Sequence, residues 1–597
     1  MSKAKARKGN AATPAAPAPL PLWPVGLAVA LVYLPSLSNG LTNWDDPDYV
    51  THNPIAKLGW AGIPAAFTQI YDHCYYPLTH ATYAVVNALG GSSGLLHGVQ
   101  VLLIALTAAL IPLALAGFGV PRLAGICAAL LWAVHPLRVD SVSWGANLKD
   151  TLGAAFVVGA FALHAHGRRH LAALVFAAAM LSKSAFFGLA LLFPLLELRA
   201  GTKALAAVAK SAAFLVIGLA TAIGSGVLHM TTGAGSSATS SLAERLATGA
   251  WTPWWYVVRI FIPSVPRQVY DFPLVSFADS RFLFALAAWV VLIAVCFRVR
   301  ALIIPVLAFV FALAPVSGLV PLRFVVADRY TLFPALALLA GAMAFVVAQW
   351  GARVAVGITA GLLVVMTPLN VLRQREWHDS VTLWESNARV FPDSSTVQMN
   401  LAEAYADAGR FADARRATEA LLRVRNETPV RVQLIWLSGI ADQVPPEELN
   451  ARRDALAGSD FSEAVVLEQG DWFLSHGFLS TAESLLQNSP SVESSGLAQR
   501  MLSAVARRRK DPVAAIERAR KAISLGEPRA QVELVFALVD AGKMTDALRE
   551  ADQQMSDEYG AALLRGAKGY ALMKAGRVEE GKQENAAALE TIRRLSP

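Results

Sequence analysis

Apolar residues fill the first part of the chain in long, nearly unbroken blocks, then give way to apolar and polar positions alternating with a helical period. A helix that crosses a bilayer needs about 20 predominantly apolar residues, fewer where protein covers it. By that measure eleven segments are candidate spans: 20–37, 95–117, 121–135, 151–166, 170–182, 184–198, 204–229, 281–298, 301–320, 327–349 and 352–372. Two short ones flank Ser182-Lys183-Ser184, which predicts a tight hairpin at the membrane edge. Trp251 to Pro263 is apolar but crowded with Trp and Pro, and predicts a helix lying in the interface.

From Arg373 the pattern becomes that of soluble helix pairs. Leu401-Ala402, Tyr405, Gly409-Arg410 and Ala414 have the spacing of a helix-turn-helix tetratricopeptide (TPR) unit. The turn recurs at Gly477, Gly542 and Gly576, with Asp511 between them, at separations near multiples of the roughly 34-residue period. Ala482, Ala515 and Ala547 hold the place of Ala414. Such repeats stack into a superhelix with a concave binding face. The expected fold is all-α: a polytopic bundle of about 11 spans over 20–372, then a soluble α-solenoid of TPR-like repeats over 373–597.

Charge sharpens this division. Residues 373–597 carry 29 basic and 33 acidic side chains, whereas the preceding part carries 23 and 11. The overall net charge of +8 therefore belongs to the apolar half, where Lys and Arg mark cytoplasmic connections, and argues against nucleic acid as a partner. With a cytoplasmic N-terminus, the cytoplasmic connections carry Arg122, Arg168, Arg169, Arg199, Lys203, Arg298, Arg300 and Arg353. An odd span count then places the C-terminal part on the exoplasmic side, the periplasm if this is a bacterial inner-membrane protein. Residues 1–19, with Lys3, Lys5, Arg7 and Lys8, read as a disordered cytoplasmic tail without a cleavage site. Cys74, Cys127 and Cys296 offer neither a disulfide framework nor a zinc spacing.

The candidate chemistry gathers on the side opposite those cations. Asp45 and Asp46 follow the first apolar segment in Asn43-Trp44-Asp45-Asp46-Pro47-Asp48-Tyr49. An acidic cluster at the mouth of a membrane bundle is costly unless it faces water or a cavity, so a functional site is expected. The same side collects Tyr76 and His80; His135 to Asp150 with Arg138 and Lys149; Lys183; Arg259 to Asp271 with Arg267; and Arg323 to Tyr330 with Arg329. A carboxylate can take a proton from an acceptor hydroxyl while cations stabilise a departing phosphate. Plainer readings stand beside these: Asp45 and Asp46 as helix caps, His135 as a helix-end polar group, Lys149 as an interfacial anchor, and Arg329 as the partner of Asp328. No Walker loop, dinucleotide turn or nucleophile elbow is present.

Taken in order, these segments resemble the membrane glycosyltransferases of the GT-C class, most closely the transmembrane-and-TPR O-mannosyltransferase-like family with its bacterial relatives. The matching stretches are Asn43-Trp44-Asp45-Asp46, Tyr76-Pro77-Leu78-Thr79, His135-Pro136-Leu137-Arg138-Val139-Asp140, Lys149-Asp150, Ser182-Lys183, Ala327-Asp328-Arg329-Tyr330, and Trp377 with Leu383-Trp384. Asp140, Asn147 and Ser184 depart from the family's usual residues. The resemblance implies a polyprenyl-phosphate-linked sugar as donor and an inverting transfer. It points to Asp46 as the base with Asp45 supporting it, and to Arg329 and Lys149, then Lys183 and Arg267, as phosphate ligands. It assigns Tyr76, His80 and His135 to orientation of donor or acceptor. A divalent cation, if one is used, would sit on Asp45 and Asp46.

Three functions compete on this basis. The first is a glycosyltransferase whose repeats engage a protein acceptor or partner. The second is a transferase or ligase acting on a lipid or polysaccharide acceptor. The third is a non-catalytic scaffold that merely anchors its repeats in the bilayer, and it leaves the cluster of acids and cations without a role.

Overall fold

A computed structural model describes residues 21–71, 74–232, 241–262, 266–270, 272–318, 324–425, 479–487, 491–555 and 557–595, together with 466–467, 470–471 and 473–474. Every regular element among the described residues is a helix, apart from one isolated bridge between Tyr71 and Cys74. The all-α expectation holds. The expected tail 1–19 and the turn at Gly477 lie outside the described residues.

Each of the eleven apolar segments contains helix, but backbone breaks shorten several of them. Four helical stretches are long and apolar enough to cross a membrane: Ser93–Gly117, Gly145–Ala165, Ser280–Arg298 and Asp328–Glu376. Two bent pairs raise the number to six. Arg122–Val134 turns by 65° into Pro136–Ser143, because the residue before a proline is pushed out of the helical region; His135 is extended, at φ −56° and ψ 133°. Ala204–Lys210 turns by 64° into Ala212–Leu228. Trp23–Val32, Arg169–Ser182 and Arg300–Val316 are apolar but shorter than a span. Segment 184–198 divides into a tight turn of helix, Ser184–Leu191, and Leu192–Arg199, so the eleven-span count is not reproduced.

As one rod, Asp328–Glu376 would measure about 74 Å, more than twice the hydrocarbon core of a bilayer. The run breaks at Gly351, whose φ of 81° and ψ of 175° suit only a residue without a Cβ. The predicted segments 327–349 and 352–372 are the two sides of that break.

The expected boundary at 372/373 falls inside helix Leu332–Glu376. One continuous apolar core runs from Val25 and Val29 through the bundle to Trp377, Leu383, Trp384, Val397 and Leu401. The helices Ser380–Ala388 and Ser395–Asp407 thus pack as part of the bundle's end.

Beyond them come antiparallel helix pairs: Ser395–Asp407 with Phe411–Val424, Gly496–Arg508 with Pro512–Ser524, Ala530–Asp540 with Met544–Ala551, and Glu558–Lys574 with Val578–Leu595. Their turns are one device repeated. Gly409, Lys510, Gly542 and Gly576 have φ of 71°, 63°, 72° and 84°. The next residue's N–H reaches back to Tyr405, Ala506, Leu538 or Leu572 in a Schellman closure. The left-handed position in the second of these turns is Lys510, one residue before the expected Asp511, whose side chain instead caps the following helix through Ala514 N–H. Ala414, Ala482, Ala515 and Ala547 are fully buried, as small residues between close helices should be.

Candidate functional site

The site is built where the loop 39–46 meets the break 143–148 and the start of Leu332–Glu376. Asn43 anchors the loop. Its N–H donates to Ser380 Oγ (2.9 Å), its Nδ2 to Asn400 O (3.1 Å), and its Oδ1 accepts from Trp384 Nε1 (2.7 Å). Gly40 N–H donates to His378 O (2.9 Å), and Trp44 packs edge-on against Trp384 at 5.2 Å. Residues more than 330 positions away therefore set the path of the acidic loop.

Asp46 is buried at 1% exposure, and its two oxygens are taken by three donors. Oδ2 accepts from Thr42 N–H (2.7 Å) and Thr42 Oγ1 (3.0 Å), and Oδ1 from Ala146 N–H (2.7 Å). A Cβ on Gly145 would lie 3.0 Å from Asp46 Oδ1, so glycine permits this approach. Tyr83 OH and Gln100 Nε2 hold the same turn through Gly145 O (2.9 Å) and Trp144 O (2.8 Å). Burial pushes the Asp46 carboxyl up to about 6, against the pull of its backbone and Thr42 hydrogen bonds. Its position is that of a cross-brace between two loops. Asp45 is only partly buried and lies within electrostatic reach of Lys149 and Arg329.

The four expected phosphate ligands divide into two kinds. Arg329 and Lys149 make no hydrogen bond or ion pair at contact distance with the described residues. Both sit over the Trp144 indole, the Arg329 guanidinium at 5.4 Å and the Lys149 ammonium at 6.0 Å, and Lys149 also lies 3.6 Å from the centre of the Tyr49 ring. Trp144 is stacked on Trp377 at 5.5 Å, which holds it rigid. Asp328, the plainer partner for Arg329, is instead taken by Arg259 (3.2 Å), Tyr270 OH (2.8 Å) and Arg267 N–H (3.0 Å).

Lys183 and Arg267 are already neutralised. Lys183 pairs with Asp150, which is fully buried, and Arg267 pairs with Glu376 at 3.4 Å. Glu376 also binds Arg373, whose other nitrogen reaches Asp140 at 3.0 Å. These chains of charge tie the bundle together, and of the four expected ligands Lys149 and Arg329 remain outside any ion pair. Arg138, also without a carboxylate at contact distance, is wholly buried against Thr331.

The expected orienting residues also separate. His135 has both ring nitrogens engaged by backbone: Nδ1 accepts from Leu137 N–H (3.2 Å) and Nε2 meets Ile260 O (3.1 Å), so it caps the helix break. His80 lies beneath Tyr49, with ring planes 7° apart, and its Nδ1 receives Asn53 Nδ2 at 3.0 Å. Burial and the nearby Lys149 charge lower it to about 4, so it is neutral at pH 7 with Nε2 buried and unbonded. Tyr76 borders a separate cavity of about 540 Å³ with Cys74, Ser184 and Ser225, and burial raises its hydroxyl well above the ordinary range.

No group of three or more His, Cys, Asp or Glu side chains is placed to hold a metal among the described residues. Three of the acceptor positions on Asp46 are taken by Thr42 and Ala146, and Oδ1 carries one hydrogen bond. Trp144 and Tyr49, the aromatic floor of the site, were missed in the sequence, where nothing in their spacing distinguishes them from core residues. No protein-family model matches the chain, and a search of curated proteins found no match.

Proposed function

We propose that the chain is an integral-membrane glycosyltransferase that moves a sugar from a polyprenyl-phosphate donor to an acceptor hydroxyl, in keeping with its resemblance to the GT-C class. One observation carries this reading: two cations in no ion pair at contact distance, Lys149 and Arg329, lie over one indole within electrostatic reach of a partly exposed carboxylate, Asp45. Lys183, Arg259 and Arg373 nearby are each matched to a carboxylate, while Arg138, wholly buried, donates to the Thr331 hydroxyl.

Arg329 and Lys149 hold the donor phosphate and stabilise the charge that grows on it as it leaves. Asp45 accepts the proton of the acceptor hydroxyl. The hydroxyl oxygen bonds to the anomeric carbon from the face opposite the phosphate, whose oxygen departs with the bonding pair. The configuration inverts. Asp46, Asn43 and Gly145 fix the loop that aims Asp45. The helix pairs after residue 395, read as TPR-like repeats on an exoplasmic or periplasmic face, would present a protein acceptor or partner.

The test supplies membranes with a radiolabelled polyprenyl-phosphate sugar and follows label into protein, glycan and lipid fractions. Label should enter one fraction with wild type and be lost with a combined Lys149→Gln and Arg329→Gln variant that inserts normally. Transfer unchanged in that variant would remove the phosphate assignment. Absence of transfer across a panel of donor sugars would favour the scaffold reading.

A further inference from the structure

A second cavity, of about 350 Å³, lies apart from the acidic loop. Its walls come from the C-terminal end of helix Ser93–Gly117, from Gly145–Ala165, from Arg300–Val316 and from Phe333 to Gln349. Those last 17 residues run about 24 Å along a helix, so the cavity is long in the direction of the bundle axis. Its lining is apolar except for Arg199 and Gln349 at one end. That end adjoins Trp350, a strongly exposed aromatic of the kind that marks a membrane interface.

The rim is cationic with no acid to match it. Arg199 is exposed, has no ionic or hydrogen-bond partner among the described residues, and packs its guanidinium on Gly119, where a Cβ would displace it. Lys203, Arg298, Arg300 and Arg353, all exposed, flank the lining segments in the chain. The carboxylate within those segments, Glu197, is buried and taken by Arg169, Thr202 and Lys210. A long apolar slot closed by an unmatched guanidinium has the shape and charge of a lipid with an anionic headgroup.

We propose that this cavity binds an anionic glycerophospholipid of the bilayer, one acyl chain in the slot and its phosphate on Arg199. The site is separate from Lys149 and Arg329 and does not depend on the transferase reading. An Arg199 that served only the C-terminal end of helix Ser93–Gly117 would show no lipid preference.

The experiment follows thermal unfolding of detergent-purified protein as phosphatidylglycerol or phosphatidylcholine is added, and identifies extracted lipid by mass spectrometry. Wild type should be protected by phosphatidylglycerol at about tenfold lower concentration than Arg199→Gln, the loss expected for one charge-assisted contact. Phosphatidylcholine should protect both equally weakly. Ala337→Phe, which fills the slot, should abolish saturable protection and lose the retained lipid. Equal responses of wild type and Arg199→Gln would overturn the proposal. So would an isoprenoid chain as the lipid that Ala337→Phe loses, which would assign the slot to a different ligand.

Discussion

Burial of Asp46 raises its carboxyl from 3.8 to about 6, so between those values the folded chain holds a proton that the unfolded chain has released. Its contribution to stability is full below pH 3.8 and is lost as pH rises through about 6, a change of about 3 kcal/mol at most. Unfolding midpoints measured from pH 4 to 7 should fall across that window. Asp46→Asn, with no proton to bind, should flatten the slope. That variant also turns one acceptor into a donor facing the N–H of Thr42 or Ala146, so it should be destabilised by about 1–3 kcal/mol at low pH. The cations make a matching contrast. Lys183→Gln strands the buried Asp150 and should cost about 3 kcal/mol or more in stability. Arg329→Gln breaks no ion pair, and should instead raise the KM for a lipid-phosphate donor about tenfold with unfolding little changed. A thermal shift larger for Arg329→Gln than for Lys183→Gln would reverse this division. None of it was readable from residue type. Lys183 finds Asp150 at 33 positions' distance and Arg267 finds Glu376 at 109, while adjacent Asp45 and Asp46 differ only through a backbone path set by Thr42 and Ala146.

At the scale of elements, the apolar blocks were legible because burial and lipid both demand them, and their interruptions followed local chemistry: Pro136 after His135, and Gly351 with its positive φ. The span count was not legible, because a run of apolar residues does not reveal where the backbone leaves the helix, as at Lys183 and Ser211. The repeated turns were visible through Gly409, Gly542 and Gly576, but the left-handed Lys510 was displaced by one residue because nothing about lysine signals that conformation. Lys510→Gly should therefore stabilise its hairpin by about 1 kcal/mol. Gly581, five residues beyond Gly576, takes the place that Ala414, Ala515 and Ala547 hold elsewhere. A Cβ there would stand 2.6 Å from Gly569 O and 2.5 Å from Met573 Cγ. Gly581→Ala should destabilise the last helix pair by about 1–3 kcal/mol and make it the first site of limited proteolysis. Unchanged protease sensitivity would show that the pair tolerates wider spacing.

Across the whole molecule, the acidic loop is held as much by the helices beyond the bundle as by the bundle itself. Asn43 makes three hydrogen bonds, to Ser380, Trp384 and Asn400, and Trp44 and Trp144 lean on Trp384 and Trp377. The first helices after the membrane part are thus a wall of the candidate site. Trp384→Phe, which keeps the packing and removes one N–H, should lower turnover with little change in donor KM, since it loosens the loop carrying Asp45 and leaves Lys149 and Arg329 in place. The central claim is that Asp45, and not the braced Asp46, meets the acceptor. The most direct measurement compares wild type with Asp45→Asn for transfer from a radiolabelled polyprenyl-phosphate sugar, alongside donor binding and thermal unfolding. The expected result is a loss of transfer of at least about a hundredfold, with donor binding and unfolding close to wild type. Transfer retained in Asp45→Asn, in protein that binds donor normally, would contradict it.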